Sequence, residues 1–287
     1  MTESVVRAYA RSIVCGETLA AKLVPPPAAL DVTDAEPALR VAAPGRPPEL
    51  PIASSRDVRV PPIAGFRDPA QRARILHALA NHELQAIELF AWALLAFPDA
   101  PASFRRGLVA IIADEQRHFE LYRARLAALG HAIGAFAVTG HFWNKLDHLA
   151  TPLAFVCAMG LTFENANLDF AGDYARAARA CGDEATAAAL DQVHVDEIRH
   201  VHFAYVWLRR LGGDALSPWE TYLANIRPPL GPTRARGADF DRAARERAGF
   251  DAAFIAALAA TSATRPSGAP RQGTESKLSR LGTTDPE

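Results

Sequence analysis

Asp114-Glu115-Gln116-Arg117-His118 and Asp196-Glu197-Ile198-Arg199-His200 are one five-residue pattern, D-E-x-R-H, written twice. Each copy sits in a long run with helical spacing. Residues three apart on a helix are neighbours on one face, so Glu115 projects with His118 and Glu197 with His200. Upstream of each copy stands another acid in matching surroundings. Glu83 lies in His82-Glu83-Leu84-Gln85-Ala86-Ile87-Glu88, and Glu164 in Phe163-Glu164-Asn165-Ala166-Asn167-Leu168-Asp169. In both, an aliphatic residue follows four positions on and an acid five on. The step from Glu83 to Glu115 is 115 − 83 = 32 residues, and from Glu164 to Glu197 it is 197 − 164 = 33. The chain reads as a helical hairpin written twice, each copy giving one Glu and one Glu-x-x-His.

The surrounding sequence sets out four long helices. Asp68-Pro69 opens the first, since Asp is a good N-cap and Pro suits the first helical position; it runs over about 69–97. The second starts near Pro101 and closes at Gly130, a C-terminal cap. The third starts at Thr151-Pro152 and runs to about 180, and the fourth covers about 184–211, up to Gly212-Gly213. Short links pair the first with the second and the third with the fourth as antiparallel hairpins. The longer connection over 131–150 can cross from one hairpin to the other. These boundaries predict an all-α protein built on a four-helix bundle over 69–211. A helix over 4–23, interrupted only at Gly16, precedes it. Between Pro25 and Pro69 the chain places 11 of its 21 prolines, which excludes helix and central strand. Apolar Leu30, Val41, Leu50, Ile52, Val58, Val60, Ile63 and Phe66 make this segment an arm wrapped over the helices, and 1–68 the N-terminal unit. A C-terminal helical extension is expected over 212–260, with helices after Ser217-Pro218 and over 239–260. The tail 261–287, rich in Ser, Thr, Pro and Gly, is expected to be disordered.

A Glu from each of two helices plus a Glu-x-x-His from each of the other two, all pointing inward, is a recurring ligand set for a pair of iron or manganese ions. One such pair alone arises by chance on many surface helices. Here the motif is duplicated, its partner acids stand at matched spacing, and its neighbours Leu108, Ile111, Ile112, Phe119, Leu121, Val193, Val195, Ile198, Val201 and Phe203 are apolar. Buried acids and histidines are costly unless paired or metal-bound. Glu83, Glu115, His118, Glu164, Glu197 and His200 are therefore the candidate metal ligands. Asp114 and Asp196 are placed to accept from the far ring nitrogen of a ligating histidine, across the bundle to the other helix, with Arg117 and Arg199 beside them. Glu88 and Asp169, the second acids of the repeat, are read as supporting acids around the site. Glu88 is also the alternative first-helix ligand, but Glu83 shares a stripe with Leu76, Ala80, Ile87, Phe90 and Leu94. Tyr122, one turn after His118, is read as a core tyrosine with a redox role as the alternative. His82 and His194 are assigned to solvent or the bundle rim.

Composition narrows the remaining classes. A net charge of −1 gives no basis for a nucleic-acid or membrane-surface partner. Cys15, Cys157 and Cys181 form no C-x-x-C, which argues against a zinc or rubredoxin-type centre and suits a reducing cytoplasm. No apolar run reaches the length of a membrane span, and the N-terminus lacks the apolar core of a secretory signal.

With its paired D-E-x-R-H motifs and upstream Glu83 and Glu164, the chain resembles the ferritin-like superfamily of carboxylate-bridged di-iron proteins. In motif it looks closest to the oxygen-activating branch: bacterial multicomponent monooxygenases, acyl-carrier-protein desaturases and tRNA-modifying di-iron hydroxylases. The strings around Glu83 and Glu164 are similar to one of its uncharacterised "domain of unknown function" families. The resemblance implies Glu115 and Glu197 as bridging carboxylates and Glu83 and Glu164 as terminal ones, each beside a histidine. It implies two iron ions, with manganese as a substitute. The implied activity is a non-haem di-iron oxidase or hydroxylase, taking an unidentified small organic substrate and electrons from an external donor. The alternative is a metal-binding or metal-storing bundle without organic substrate. The chain departs from rubrerythrins in lacking a rubredoxin module, and from storage ferritins in its arm and C-terminal extension.

Overall fold

The computed structural model describes residues 3–262. Most of the tail expected over 261–287 lies outside the described residues. The protein is all-α. Its centre is four long helical segments, and its only strands among the described residues are the two-residue β1 (Ile52–Ala53) and β2 (Val138–Thr139), paired in parallel.

Local chemistry accounts for the boundaries. Helix α3 (Pro69–Ala96) starts where the Asp68 carboxylate accepts from the backbone N–H groups of Ala70 and Gln71. Its last carbonyls, on Leu94 and Phe97, are taken by the buried Arg105 guanidinium of α4 (Ala102–Ala128). Helix α4 ends on Gly130, whose φ of 77° only glycine adopts freely, while His131 N–H closes back onto Leu126 O at 3.0 Å. Asp183 caps α7 (Glu184–Gly212) and also holds Arg72 of α3 and Arg125 of α4. That one carboxylate ties three helices together. Helix α3 packs along α4, α7 packs along α6 (Asn165–Ala180), and α4 faces α7, which brings the two D-E-x-R-H segments face to face.

The third long segment is not the uninterrupted helix expected over 151–180. It begins as a single α-turn, α5 (Pro152–Phe155), widens into a nine-residue π-helix over Val156–Glu164, and resumes as α6. The π-geometry shows in the Asn165 N–H donating to Gly160 O, five residues back, and Thr162 Oγ1 donates to Cys157 O at 2.8 Å. Gly160 lets this segment press onto α7: a Cβ there would stand 2.1 Å from the Ala204 Cβ. π-segments concentrate at functional sites, and this one ends on Glu164.

The N-terminal helix expected over 4–23 is two helices, α1 (Val5–Cys15) and α2 (Leu19–Lys22), because Gly16 is extended and Gly45 of the arm donates to Val14 O at 2.8 Å. The arm itself lies against the bundle. Leu39 N–H donates to Leu95 O, Trp92 Nε1 donates to Val41 O, Arg105 Nε donates to Val32 O, and Leu50 is buried. C-terminally, α8 (Pro218–Ala224) carries a complete capping box. The helix expected over 239–260 is α9 (Arg242–Arg247) and α10 (Ala252–Ala259), split by Gly249 at φ 82° and restarted by the Asp251 cap. No helix among the described residues is long and apolar enough to cross a membrane.

Candidate metal centre

The four long segments bring six side chains to one point, in two overlapping groups. Glu83, Glu115, His118 and Glu197 form one; Glu115, Glu164, Glu197 and His200 form the other. Within each group, one ligand-type atom per residue lies within 4.8 Å of all the others. Glu115 and Glu197 belong to both. Glu115, His118 and Glu197 have no exposed surface, whereas Glu83 is 6 % and Glu164 5 % exposed.

On the opposite side the two hairpins hold each other's histidines. His118 Nε2 lies 3.2 Å from Asp196 Oδ2, and His200 Nε2 lies 3.2 Å from Asp114 Oδ2. Each aspartate is also gripped by both arginines: Arg117 reaches Asp114 and Asp196, and Arg199 reaches Asp196 and Asp114. An ionised aspartate accepts only, so each ring carries its proton on Nε2 and turns Nδ1 inward.

Those inward atoms have no partner. His118 Nδ1, His200 Nδ1, both oxygens of Glu115 and Oε2 of Glu197 are buried without a hydrogen bond. They are nevertheless close: His118 Nδ1 is 3.4 Å from Glu115 Oε2, and His200 Nδ1 is 3.1 Å from Glu115 Oε1 and 3.3 Å from Glu197 Oε2. An unpaired buried polar group typically costs about 1–3 kcal/mol. Five converging on one point are the donor set that a cation satisfies.

The titration pattern points the same way. Burial, then the neighbouring carboxylates Glu115 and Glu197, hold Glu83 well above the usual carboxylate range. Burial and the charges of Glu197 and Glu115 do the same to Glu164. For Glu115 burial pushes upward but is outweighed by His118 and His200, which depress it. Burial pulls His118 downward, yet Asp196 and Glu115 lift it to about 9, and His200 is raised through the same kind of contacts. Asp114 is drawn down to about 2 because contacts with His200 and Arg117 outweigh its burial. With no cation, protons supply the positive charge this cluster needs. Four carboxylates carry four negative charges and two divalent cations carry four positive, so the six residues fit a pair of such ions, whose binding would release those protons.

Not every candidate joins. Glu88 supports no ligand of this centre. It is fully buried, but on another side of α3, where Lys22 Nζ at 2.9 Å, Arg46 at 2.8 Å and Trp143 Nε1 at 2.8 Å hold it. Asp169 likewise turns away, to Arg245 and the backbone N–H groups of Gly237 and Asp241. His82 sits half-buried with its ring 5.9 Å from that of His141, and His194 meets Asp241. Tyr122 is buried and raised well above its ordinary value, by burial first and then by the charges of Glu83, Glu197 and Glu115. Sequence reading missed Asn167, whose Nδ2 donates to Glu197 Oε1 at 2.9 Å. Its position one turn after Glu164 was the available signal.

Two cavities open on the bundle, the second against an aspartate that holds one of the histidines. The arm, the 131–150 connection and α3 enclose about 70 Å³ lined by Val60, His77, His82 and Val138. A groove of about 700 Å³ runs past Leu23, Ala113 and Leu121, with Arg117 and Asp196 in its wall.

Over residues 6–256 the chain matches the model of the family described as "Protein of unknown function (DUF455)". The chain belongs to this family. The DUF455 match takes in the α1 helix, the arm, all four long segments and most of the C-terminal extension. No curated protein and no solved structure matches the chain.

Proposed function

We propose that the protein is a ferritin-like, non-haem di-iron oxidoreductase that uses O₂ and external electrons to oxidise a small organic substrate. One observation carries this reading: two four-residue groups share Glu115 and Glu197. Two ions held in this way would be bridged, and a bridged pair is the arrangement in which two metals act on one molecule. Four carboxylates and two imidazoles make a hard, mixed oxygen and nitrogen donor set that suits Fe(II), with Mn(II) as a substitute. When bound, the pair would supply redox equivalents for O₂ reduction.

The chain's own residues would do the rest. Asp196 and Asp114 fix the ring planes of His118 and His200 and keep their Nδ1 lone pairs directed inward. The histidines first, then Gln192 on Asp196, Arg117 on Asp114 and Arg199 on both, keep those aspartates ionised. O₂ and substrate would approach past Glu83 and Glu164, the two of the six residues with the most exposed surface. Such rigid support favours chemistry over storage, because a storage site must let its metal leave, whereas catalysis needs ligands held to within fractions of an ångström.

The test is O₂ consumption by protein loaded anaerobically with Fe(II), in the presence of a chemical reductant. We expect sustained uptake at two irons per chain, and loss of uptake without iron. Uptake of hundreds of irons per assembly, or tight iron binding without reaction with O₂, would leave the metal-binding or storage alternative in place.

A further inference from the structure

The two hairpins place different residues one turn after their lone glutamates. Ala86 follows Glu83 by three positions and is buried; Asn167 follows Glu164 by three and reaches across to α7, donating to Glu197 Oε1 at 2.9 Å. The consequence falls on the shared carboxylates. Both oxygens of Glu115 are buried without a partner, but only Oε2 of Glu197 is. That Oε2 stands beside His200, 3.3 Å from its Nδ1. The other oxygen, Oε1, is the one that accepts from Asn167, so the carboxylate is held with Oε2 turned to His200.

We propose that Asn167 is a positioning residue that fixes the Glu197 carboxylate with Oε2 toward His200 and so makes the two metal positions inequivalent, the one at Glu83 and His118 being the weaker. The inference rests on the dinuclear reading above but not on any reaction with O₂. Glu115, free at both oxygens, would be the full bridge. Glu197 would serve chiefly the position it shares with Glu164 and His200.

The experiment is titration of the metal-free full-length protein with Mn(II), following the loss of the free-ion EPR signal. Mn(II) alone reports binding without redox chemistry. Wild type is expected to bind two ions in two steps separated by at least about tenfold, the scale on which neighbours of metal ligands act. In Asn167→Leu the freed oxygen strengthens the weaker step, and the two midpoints converge; Asn167→Ala does the same. Thermal unfolding of the metal-free variants checks that they are folded, and the bound-Mn(II) spectrum reports whether the two ions have become alike. Two well-separated steps that persist unchanged in both folded variants would overturn the role of Asn167 while leaving the dinuclear site standing. Wild type that binds one ion or none would overturn both.

Discussion

In the first hairpin Asp114 and Arg117 flank a Glu-x-x-His whose histidine is held by Asp196; in the second, Asp196 and Arg199 flank one whose histidine is held by Asp114. On this side the halves match in the 3.2 Å histidine contact and the arginine pair, with Gln192 as one added donor to Asp196. On the other side they part. The first hairpin presents its lone Glu83 from a regular α-helix, with Ala86 behind it. The second presents Glu164 from the end of a π-helix, with Asn167 added. The outer acids are equivalent in position and differ in task. Glu88 anchors the N-terminal arm through Lys22 and Arg46, and Asp169 anchors the C-terminal extension through Arg245. A duplicated bundle can keep symmetry where both halves do the same work and lose it where the halves meet different partners.

Glu115 is the harshest place to break this comparison. Both groups contain it and both of its oxygens are free, so Glu115→Ala should remove both metal positions, whereas Glu83→Ala should remove one. Metal content after dialysis separates the two outcomes, and equal retention would show that Glu115 is not shared.

The outer acids come next. Removing one partner of a buried ion pair typically costs about 3–5 kcal/mol. Glu88→Ala strands Lys22 and Arg46, and Asp169→Ala strands Arg245, so each should lower stability by that order in chemical denaturation. Glu88→Ala should also loosen the arm, seen as faster proteolysis between Pro25 and Pro69. Asp169→Ala should expose the C-terminal extension instead. If either variant loosened both ends, the two anchors would not be independent.

Asp114→Asn and Asp196→Asn sharpen the symmetric side. Each should weaken metal binding by roughly 10–100-fold, and by matching amounts, because each aspartate holds one histidine with the same geometry. Unequal losses would mean that the asymmetry extends to the histidines. The smallest effect is expected at Gly160. Its replacement by Ala forces a methyl against Ala204 and should cost about 1–3 kcal/mol, partly relieved by Ala204→Gly in the double variant.

Much of this was visible in the sequence because it is local. The three-residue spacing of Glu115 with His118 and of Asp114 with Arg117 defines helix faces, and writing the pattern twice defines which faces meet. Caps such as Asp68-Pro69 and Gly130 fixed ends for the same reason. What stayed hidden depends on partners far along the chain. Nothing near Glu88 announces Arg46, 42 residues away, and nothing near Asp169 announces Arg245, 76 residues on. Both acids were therefore assigned to the nearest polar cluster. The π-helix was hidden too, because Val156–Glu164 has the apolar content of any buried helix, and its contacts, Thr162 with Tyr222 and Gly160 with Ala204, reach far along the chain.

The central claim is a shared pair of ions at one point between the hairpins. Crystals of the iron-loaded protein, measured on both sides of the iron absorption edge, test it most directly. The account predicts two anomalous peaks about 3.5–4 Å apart, both touching Glu115, one beside Nδ1 of His118 and the other beside Nδ1 of His200. A single peak, or iron bound at the outward Nε2 atoms where Asp196 and Asp114 now sit, would contradict it.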